Sequence, residues 1–372
     1  MKVGVDCKSI SMWPGIGTFL ARLFSDIALE SSRHQFVLFG PTAALRHTPP
    51  RGDFETRVVE IHKRLGRFKL PYYDQVQLPW ALRKAQLDAF LCPYYDAPLF
   101  SSTPLIITIH DLVTLRFRQQ YPLHQRVYFN SLLRRHARKA KRILTVSEFS
   151  KRDIVDLLGV SEDKVVVMPY AVPAAFLREI APADVGSVLR RLGVHSEYIL
   201  YSGGADRRKN LPRLLYALGK INREGPRRYT LVLTGHASQY ALLRPEWERE
   251  GLGHDVVAAG FVSEDDLACL YKGAALTAYP SLWEGCGLPL LEAIACGSPI
   301  VASRASSIPE VAGEAAVYFD PSDADEMSQV IREVLEDQPL RMRLSAHART
   351  RRDGFVPHLA AETLLKVFDE IA

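Results

Sequence analysis

Short apolar runs alternate with amphipathic stretches along this whole chain, and the alternation starts afresh near its middle. A strand buried on both faces of a parallel sheet reads as a continuous apolar run, and neighbouring parallel strands need a long crossover, usually a helix. The pattern therefore predicts an α/β architecture of doubly wound parallel sheets. In the first half, strands are expected at 2–6, 35–39, 57–60, 88–92, 105–109, 143–146 and 165–168, with helices at 17–31, 73–86, 124–140 and 148–158. In the second half, strands are expected at 198–202, 230–234, 256–259, 275–279, 299–302 and 316–319, with helices at 210–223, 264–271, 289–296, 323–336 and 338–350. A length of 372 residues exceeds one ordinary core. Two domains are expected, 1–175 and 185–355, joined by a linker at 173–184 whose Ala-Pro steps show little periodicity. A last helical stripe runs through Leu359, Leu364, Leu365, Val367, Phe368 and Ile371, in a helix spanning 356–372. Sheets of this kind collect ligands at the carboxyl ends of their strands, so a cleft between the two domains is the expected site.

Bulk properties narrow the function. No run of 18 apolar residues exists, so no membrane helix is expected. The opening MKVGVDCKSI reads as a first strand rather than a signal peptide. Five scattered cysteines without C-x-x-C pairing argue for a reducing cytoplasm and against a disulfide scaffold or zinc site. The net charge of +5 divides unevenly: residues 1–177 carry 25 Lys and Arg against 15 Asp and Glu, so the remainder is net negative by 5. The basic runs are RRHARKAKR at 134–142 and HKRLGRFK at 62–69. Anionic lipid headgroups or a phosphate-bearing acceptor would suit this half; a solvated helix face is the plainer account of 134–142. No nucleic-acid-binding signature is present, so no nucleic acid partner is expected.

Residues 284–292 read EGCGLPLLE, directly after an apolar run. Gly285 and Gly287 permit backbone shapes that a side chain forbids. Pro289 suits the first turn of a helix, and Gly297 and Pro299 close it. Free N–H groups at such a helix start attract anions. Ionised Glu284 and Glu292 only accept hydrogen bonds, which suits hydroxyl groups. Phosphate and sugar in one ligand describe a nucleotide-sugar. A second strand–glycine-turn–helix unit, YSGGADRRKNLPRLLYAL at 201–218, places Arg207, Arg208 and Lys209 after Gly203 and Gly204, with Asn210 as a helix cap. Guanidinium and ammonium groups there would grip phosphate. WPGIGTF at 13–19 holds Gly15 and Gly17, half of a dinucleotide fingerprint. IITIHDL at 106–112 sets His110 and Asp111 at a strand end, and Ser147 and Glu148 follow the next strand.

The segment YPSLWEGCGLPLLEAIACGSPIVAS, 279–303, closely resembles the signature of retaining glycosyltransferases of family 4, which have the GT-B fold. Cys286 stands where a larger residue is commoner. The blocks GGADRRKN, THD-like TIHD, VSEFS and AAGFVSEDD resemble the same family, so the likeness spans about residues 100–325. It implies two Rossmann-like domains facing a cleft, with the last helix crossing back to the first domain. It further implies that Arg208 and Lys209 hold the donor diphosphate and Glu292 the ribose. Glu284 and the N–H groups of Gly285, Cys286, Gly287 and Leu288 would orient the sugar. Gly15 and Gly17 would close over the donor, His110 would approach its sugar, and backbone near Phe261 and Val262 would meet the base, with Glu310 close by. Arg207 occupies a usual proline position, and Tyr170 and Ala171 replace a usual Asn-Gly after the following strand.

The block pattern is most like bacterial mannosyltransferases of surface-polysaccharide pathways. The expected activity is transfer of a hexose, first of all mannose from GDP-mannose, to a glycan or lipid-linked acceptor, with UDP-hexoses close behind. The leaving diphosphate needs no metal in this scheme, and no cofactor is expected. The expected place is the cytoplasm or the inner membrane face. A nucleotide-sugar epimerase of the same fold and a non-catalytic sugar-binding module are the alternatives.

Overall fold

The structure is a computed structural model of the chain; it describes all residues except 13–16, 18, 21–22, 25–26, 28–33, 49–53, 118, 120–122, 169, 171, 356 and 372. The chain divides into two compact units, Met1–Ala171 with Pro357–Ala372, and Val172–Val356. The terminal helix Pro357–Ile371 thus groups with the first unit, where Asp369 pairs with His34 at 3.3 Å and Phe368 packs edge-on to His34 and near Phe36.

The first unit holds β1 Lys2–Asp6, β2 Gln35–Gly40, β3 Phe54–Val58, β4 Ala89–Cys92, β5 Leu105–Thr108, β6 Arg142–Thr145 and β7 Val165–Val167. They form one parallel sheet in the order β3-β2-β1-β4-β5-β6-β7. The second unit holds β8 Tyr198–Ser202, β9 Thr230–Thr234, β10 Val256–Gly260, β11 Leu276–Tyr279, β12 Ile300–Ser303 and β13 Ala316–Phe319. They too are all parallel, in the order β10-β9-β8-β11-β12-β13. Strand order reverses between β1 and β4 in the first sheet and between β8 and β11 in the second. At such a switch point two adjacent crossovers leave to opposite faces, which opens a crevice beyond the strand ends.

The second unit's core shows why the elements form where they do. Helix Leu211–Glu224 buries Leu211, Leu214, Leu215, Leu218 and Ile221, one face at helical spacing. That face packs with Ile331, Val334 and Leu335 of helix Ala324–Glu336 over Ile199, Leu231 and Leu276 of the sheet. Burial of each such side chain contributes about 1.5–3 kcal/mol relative to exposure.

Four sequence expectations need correction. The strand expected at 57–60 is Phe54–Val58, an edge strand exposed along most of its length and therefore poor in apolar signal. The helix expected at 73–86 is three segments, Lys69–Tyr72, a π-helical turn Tyr73–Gln77, and Leu78–Arg83 with Pro79 in its first turn. The segment 173–184 contains helix Ala174–Leu177 and the start of helix Pro182–Leu192, where Pro182 pre-sets the first turn and Gly193 ends it in the left-handed region. Helices Ala237–Ala241 and Arg244–Arg249 were not foreseen, because both are short and polar. The helix expected at 17–31 falls largely outside the described residues, although Phe19, Leu20, Leu23, Phe24 and Ile27 are helical and buried. Among the described residues no helix is long and apolar enough to cross a membrane. All five cysteines are buried thiols.

Candidate active site

In the second unit the loops after β8 and β11 meet at the switch point. Asp206 caps the 3-10 turn Arg207–Lys209 through Arg208 N–H at 2.9 Å, which aims the next two side chains across the crevice. Lys209 Nζ donates to Glu284 Oε1 at 2.6 Å and Arg208 Nη1 to Glu284 Oε2 at 3.0 Å. Arg208 Nη1 also reaches the Trp283 carbonyl at 3.3 Å, and the Arg208 carbonyl accepts from Leu282 N–H at 2.7 Å. Glu284 is only 5% exposed. Burial alone would raise its pKa, but Lys209 and Arg208 outweigh that and hold it below the ordinary carboxylate value. Arg208 Nε also lies 3.7 Å from the half-exposed Asp206 carboxylate, so the two cations face one buried carboxylate and one open to solvent. Arg207 is exposed and takes no part in these contacts.

Strained backbone sets this geometry. Asn210 has φ 58° and Ser306 φ 52°, and both non-glycine residues touch the site. Asn210 does not cap the following helix with its side chain, as the sequence suggests. Its amide donates instead to the Pro280 and Pro321 carbonyls at 3.1 and 2.8 Å. Ser306 Oγ accepts from Glu284 N–H at 2.9 Å, and Ser307 Oγ donates to the Glu284 carbonyl at 3.0 Å. These serines, on the loop after β12, were given no role by sequence reasoning; the signal there is a polar pair three residues beyond a buried strand. Gly287 has φ 86°, and a Cβ there would lie 2.5 Å from the Tyr279 hydroxyl, so only glycine fits. It caps helix Leu288–Cys296: Leu290 and Leu291 N–H donate to its carbonyl at 2.9 and 3.2 Å and Pro289 has no N–H, which leaves Leu288 N–H as the first-turn donor without a partner inside the helix. Gly285 and Cys286 are buried beside Glu284, and burial pushes the Cys286 thiol up, leaving it unreactive. Glu292, half-buried on that helix, accepts from Tyr271 O–H at 3.0 Å.

Gly203 follows β8 and is tied to β9 by its N–H to the Thr234 carbonyl at 3.2 Å. Beyond β10, Phe261 is 74% exposed and meets the His236 ring edge-on at 4.6 Å; Val262 is half-buried beside it. The structure thus gathers Gly203, Arg208, Lys209, Phe261, Val262, Gly285, Cys286, Gly287, Leu288, Glu284 and Glu292 at one end of the second sheet. Glu310 lies on the short helix Ile308–Ala312 after β12.

The first unit holds the other candidates. His110 follows β5, and its Nε2 is 3.0 Å from the Pro93 carbonyl. A carbonyl only accepts, so Nε2 carries the proton, and Nδ1 accepts from Tyr170 O–H at 2.6 Å. The two rings stack at 13°, with Phe19 edge-on to Tyr170. Burial pushes the imidazole down to about 4, so it is neutral at pH 7. Tyr170, which departs from the family pattern, is the residue that fixes His110; Ala171 lies outside the described residues. Ser147 caps helix Glu148–Leu158 by accepting from Ser150 N–H at 3.0 Å, while Glu148 is exposed. Asp111 accepts from Val113 N–H at 3.0 Å. Gly15 lies outside the described residues. Gly17 is a packing glycine: a Cβ there would lie 2.8 Å from the Ile10 backbone. The basic run 134–142 sits where helix Leu123–Lys139 ends and β6 begins. That is the amino end of the strands, opposite the end that carries His110, so those cations do not surround the expected site. Among the described residues no group of three or more His, Cys, Asp or Glu is placed to hold a metal ion.

Comparisons with known proteins identify the family. Residues 15–176 match the model "Glycosyltransferase Family 4" and residues 191–351 match "Glycosyl transferases group 1". The chain is 29% identical over 346 residues to O-antigen chain mannosyltransferase B of Escherichia coli, covering 88% of each. It is 29% identical over 268 residues to the Escherichia coli serotype-specific mannosyltransferase WbdA, of which it spans 33%. Among solved structures, Anabaena HepE in complex with UDP and glucose shares the fold with a TM-score of 0.78, 18% identity and full coverage of both chains. Two parallel doubly wound sheets and family models over both halves place this chain among the family 4 glycosyltransferases of GT-B fold, and within them it resembles bacterial mannosyltransferases.

Proposed function

We propose that the protein transfers mannose from GDP-mannose to a glycan or lipid-linked acceptor with retention of configuration. The observation that carries this reading is the grip of Arg208 and Lys209 on buried Glu284, which fixes two neighbouring cations beside a helix start. A departing nucleoside diphosphate gathers negative charge as the glycosidic bond breaks, and fixed cations stabilise that charge without reorganising. In this reading the bond from the sugar's anomeric carbon to the diphosphate breaks, and the acceptor oxygen bonds to that carbon on the same face. The acceptor's proton passes to the departing phosphate. Glu284 and the N–H groups of Gly285–Leu288 orient the sugar, and Glu292 accepts from the ribose hydroxyls. Mannose is favoured because the name of the Escherichia coli relative that matches along most of both chains specifies it. A UDP-linked hexose is the second reading, favoured by the fold shared with HepE in complex with UDP and glucose.

Thermal denaturation against GDP, UDP, ADP and their common sugar derivatives tests the donor. A ligand bound only by the folded state raises the midpoint by mass action. GDP and GDP-mannose should raise it most. A response to UDP and UDP-glucose alone would replace the donor, and conversion of the nucleotide-sugar without acceptor would point to an epimerase.

A further inference from the structure

Residues 63–83, between β3 and β4, present an apolar stripe to solvent. Leu65, Phe68, Tyr72, Val76 and Trp80 are all exposed; Leu65 precedes a break at Gly66 (φ 51°, ψ −121°), and Phe68, Tyr72, Val76 and Trp80 recur every fourth residue through the helical turns that follow. Val58 and Phe100 lie exposed beside them, and Val58, Tyr72, Val76, Trp80 and Phe100 wall a groove of about 620 Å³. The second unit, by contrast, exposes Tyr216, Leu242, Phe261 and Met342 on separate elements.

The opposite face of the same segment is locked inward. Tyr73 O–H donates to Asp6 at 3.1 Å, Lys8 Nζ donates to Asp74, and Leu78 and Leu82 enter the core. Gln75 exchanges hydrogen bonds with the Ala97 carbonyl and Leu99 N–H, both at 2.9 Å. The stripe therefore cannot roll into the fold without breaking a buried ion pair.

Charge identifies the partner. Lys63, Arg64, Arg67 and Lys69 flank one end of the stripe, and Arg83 and Lys84 the other. None of these six has an ion-pair partner among the described residues. The one acid in 62–84, Asp74, is buried, and nearby Glu60 accepts from Thr42. Lys84 Nζ lies 3.5 Å from the Trp80 ring centroid and Arg67 lies 5.0 Å from that of Phe68. Aromatic and aliphatic side chains along one line, with cations at both ends, match the interface of an anionic bilayer. We propose that this face docks on an anionic lipid surface, with the stripe entering the headgroup–acyl boundary and the six cations meeting headgroup phosphates. The segment starts just past the carboxyl end of β3, so the cluster at 63–69 lies at the sheet end that carries His110. The inference does not depend on the donor or on glycosyl transfer.

The test is co-sedimentation of the full chain with phosphatidylcholine vesicles, with and without phosphatidylglycerol, combined with quenching of tryptophan emission by brominated acyl chains. Binding should need the anionic lipid, and quenching should report insertion. Val76→Asp with Trp80→Asp should lower partitioning by about tenfold or more. Lys63→Gln with Arg64→Gln and Arg67→Gln, which leaves three of the six cations, should lower it and weaken its salt dependence. All are exposed sites, so melting curves and nucleotide-induced shifts should stay unchanged. Arg135→Gln with Arg138→Gln and Lys141→Gln should leave binding intact. Absence of binding to either vesicle, or loss only in this last variant, overturns the proposal. So does a dimer in light scattering that Trp80→Asp disperses, which would make the face a protein interface.

Discussion

Each sheet carries an ion cluster at its switch point, and the two clusters differ in their share of cations and in exposure. Where β8 and β11 part, Arg208 and Lys209 share the buried carboxylate of Glu284, and half-exposed Asp206 lies 3.7 Å from Arg208. Where β1 and β4 part, Lys8 alone faces Asp6 at 3.3 Å and Asp74, and Asp96 is close enough to act on it. Exposure differs too: the Arg208 side chain is 26% exposed and the Lys8 side chain 2%. The same topological position thus yields two devices. Two neighbouring cations partly open to solvent can receive an anion. A negative surplus sealed from solvent cannot, and it serves instead to pin the 63–83 segment against β1.

The largest effect expected from this contrast is on stability. Lys8→Met removes the one cation among three carboxylates and should cost about 3–5 kcal/mol, since a buried charge without its partner is costly. Thermal melting should fall steeply, while nucleotide affinity of the folded fraction, measured by calorimetry, should hold. Lys209→Ala should do the reverse. Arg208 still pairs with Glu284, so the fold should survive, whereas loss of one fixed donor to developing charge should cut turnover by about 10²–10³-fold. Equal stability losses in the two variants would erase the distinction between pin and site.

The two glutamates sharpen the comparison within the second cluster. Glu292→Gln should weaken nucleoside diphosphate binding by about tenfold, the scale of one hydrogen bond to a charged group. Glu284→Gln frees Arg208 and Lys209 from their carboxylate, so free diphosphate should bind as well or better while transfer slows. Equal loss of diphosphate affinity in both variants contradicts this division of roles.

Much of this was readable from sequence, for reasons visible in particular residues. The buried parallel strands announce themselves as apolar runs, as in Tyr198–Ser202 and Ile300–Ser303. Glycines at Gly287 and Gly297 mark left-handed positions that bracket one helix. Arg208, Lys209 and Glu284 could be nominated because each sits in a short motif, although their direct contact spans some 75 residues of chain. The first cluster was not legible. Lys8 and Asp74 are 66 residues apart in sequence, and each alone reads as an ordinary loop or helix-surface residue. Tyr170 read as the loss of a usual Asn-Gly; only the fold brings its hydroxyl to His110.

The sealed cluster should also titrate. Burial, then Asp96 and Asp6, push Asp74 up to about 7 against the pull of Lys8. A carboxyl whose folded pKa exceeds its unfolded value near 3.8 binds more protons in the folded state. Its contribution to stability is therefore full at low pH and is lost as pH rises from about 4 to about 7. His110 and His136, both pushed down to about 4 by burial, slope the other way over this window. The quantity to read is thus the difference between wild type and Asp74→Asn, by chemical denaturation at a series of pH values. That difference should shrink between acid and neutral pH. A flat difference would mean that the surplus proton resides elsewhere in the cluster.

The smallest effect expected concerns a third polar group at a strand end, which carries no net charge. Tyr170→Phe keeps the ring that stacks on His110 and removes only the hydroxyl that donates to Nδ1. One unmade hydrogen bond at a desolvated nitrogen should cost about 1 kcal/mol. The Pro93 carbonyl still requires a donor, so Nε2 should keep its proton, and nitrogen chemical shifts should report the same tautomer as in wild type. Burial is the cause of the low pKa, so the ring should remain neutral well below pH 6.5. Its share of stability, present above the ordinary histidine value, should still be lost only as pH falls toward 4. A titration returning to the ordinary histidine range in Tyr170→Phe would show that the hydroxyl, and not burial, holds His110 neutral. The group would then belong with the two ion clusters, as a site whose protonation depends on a single partner.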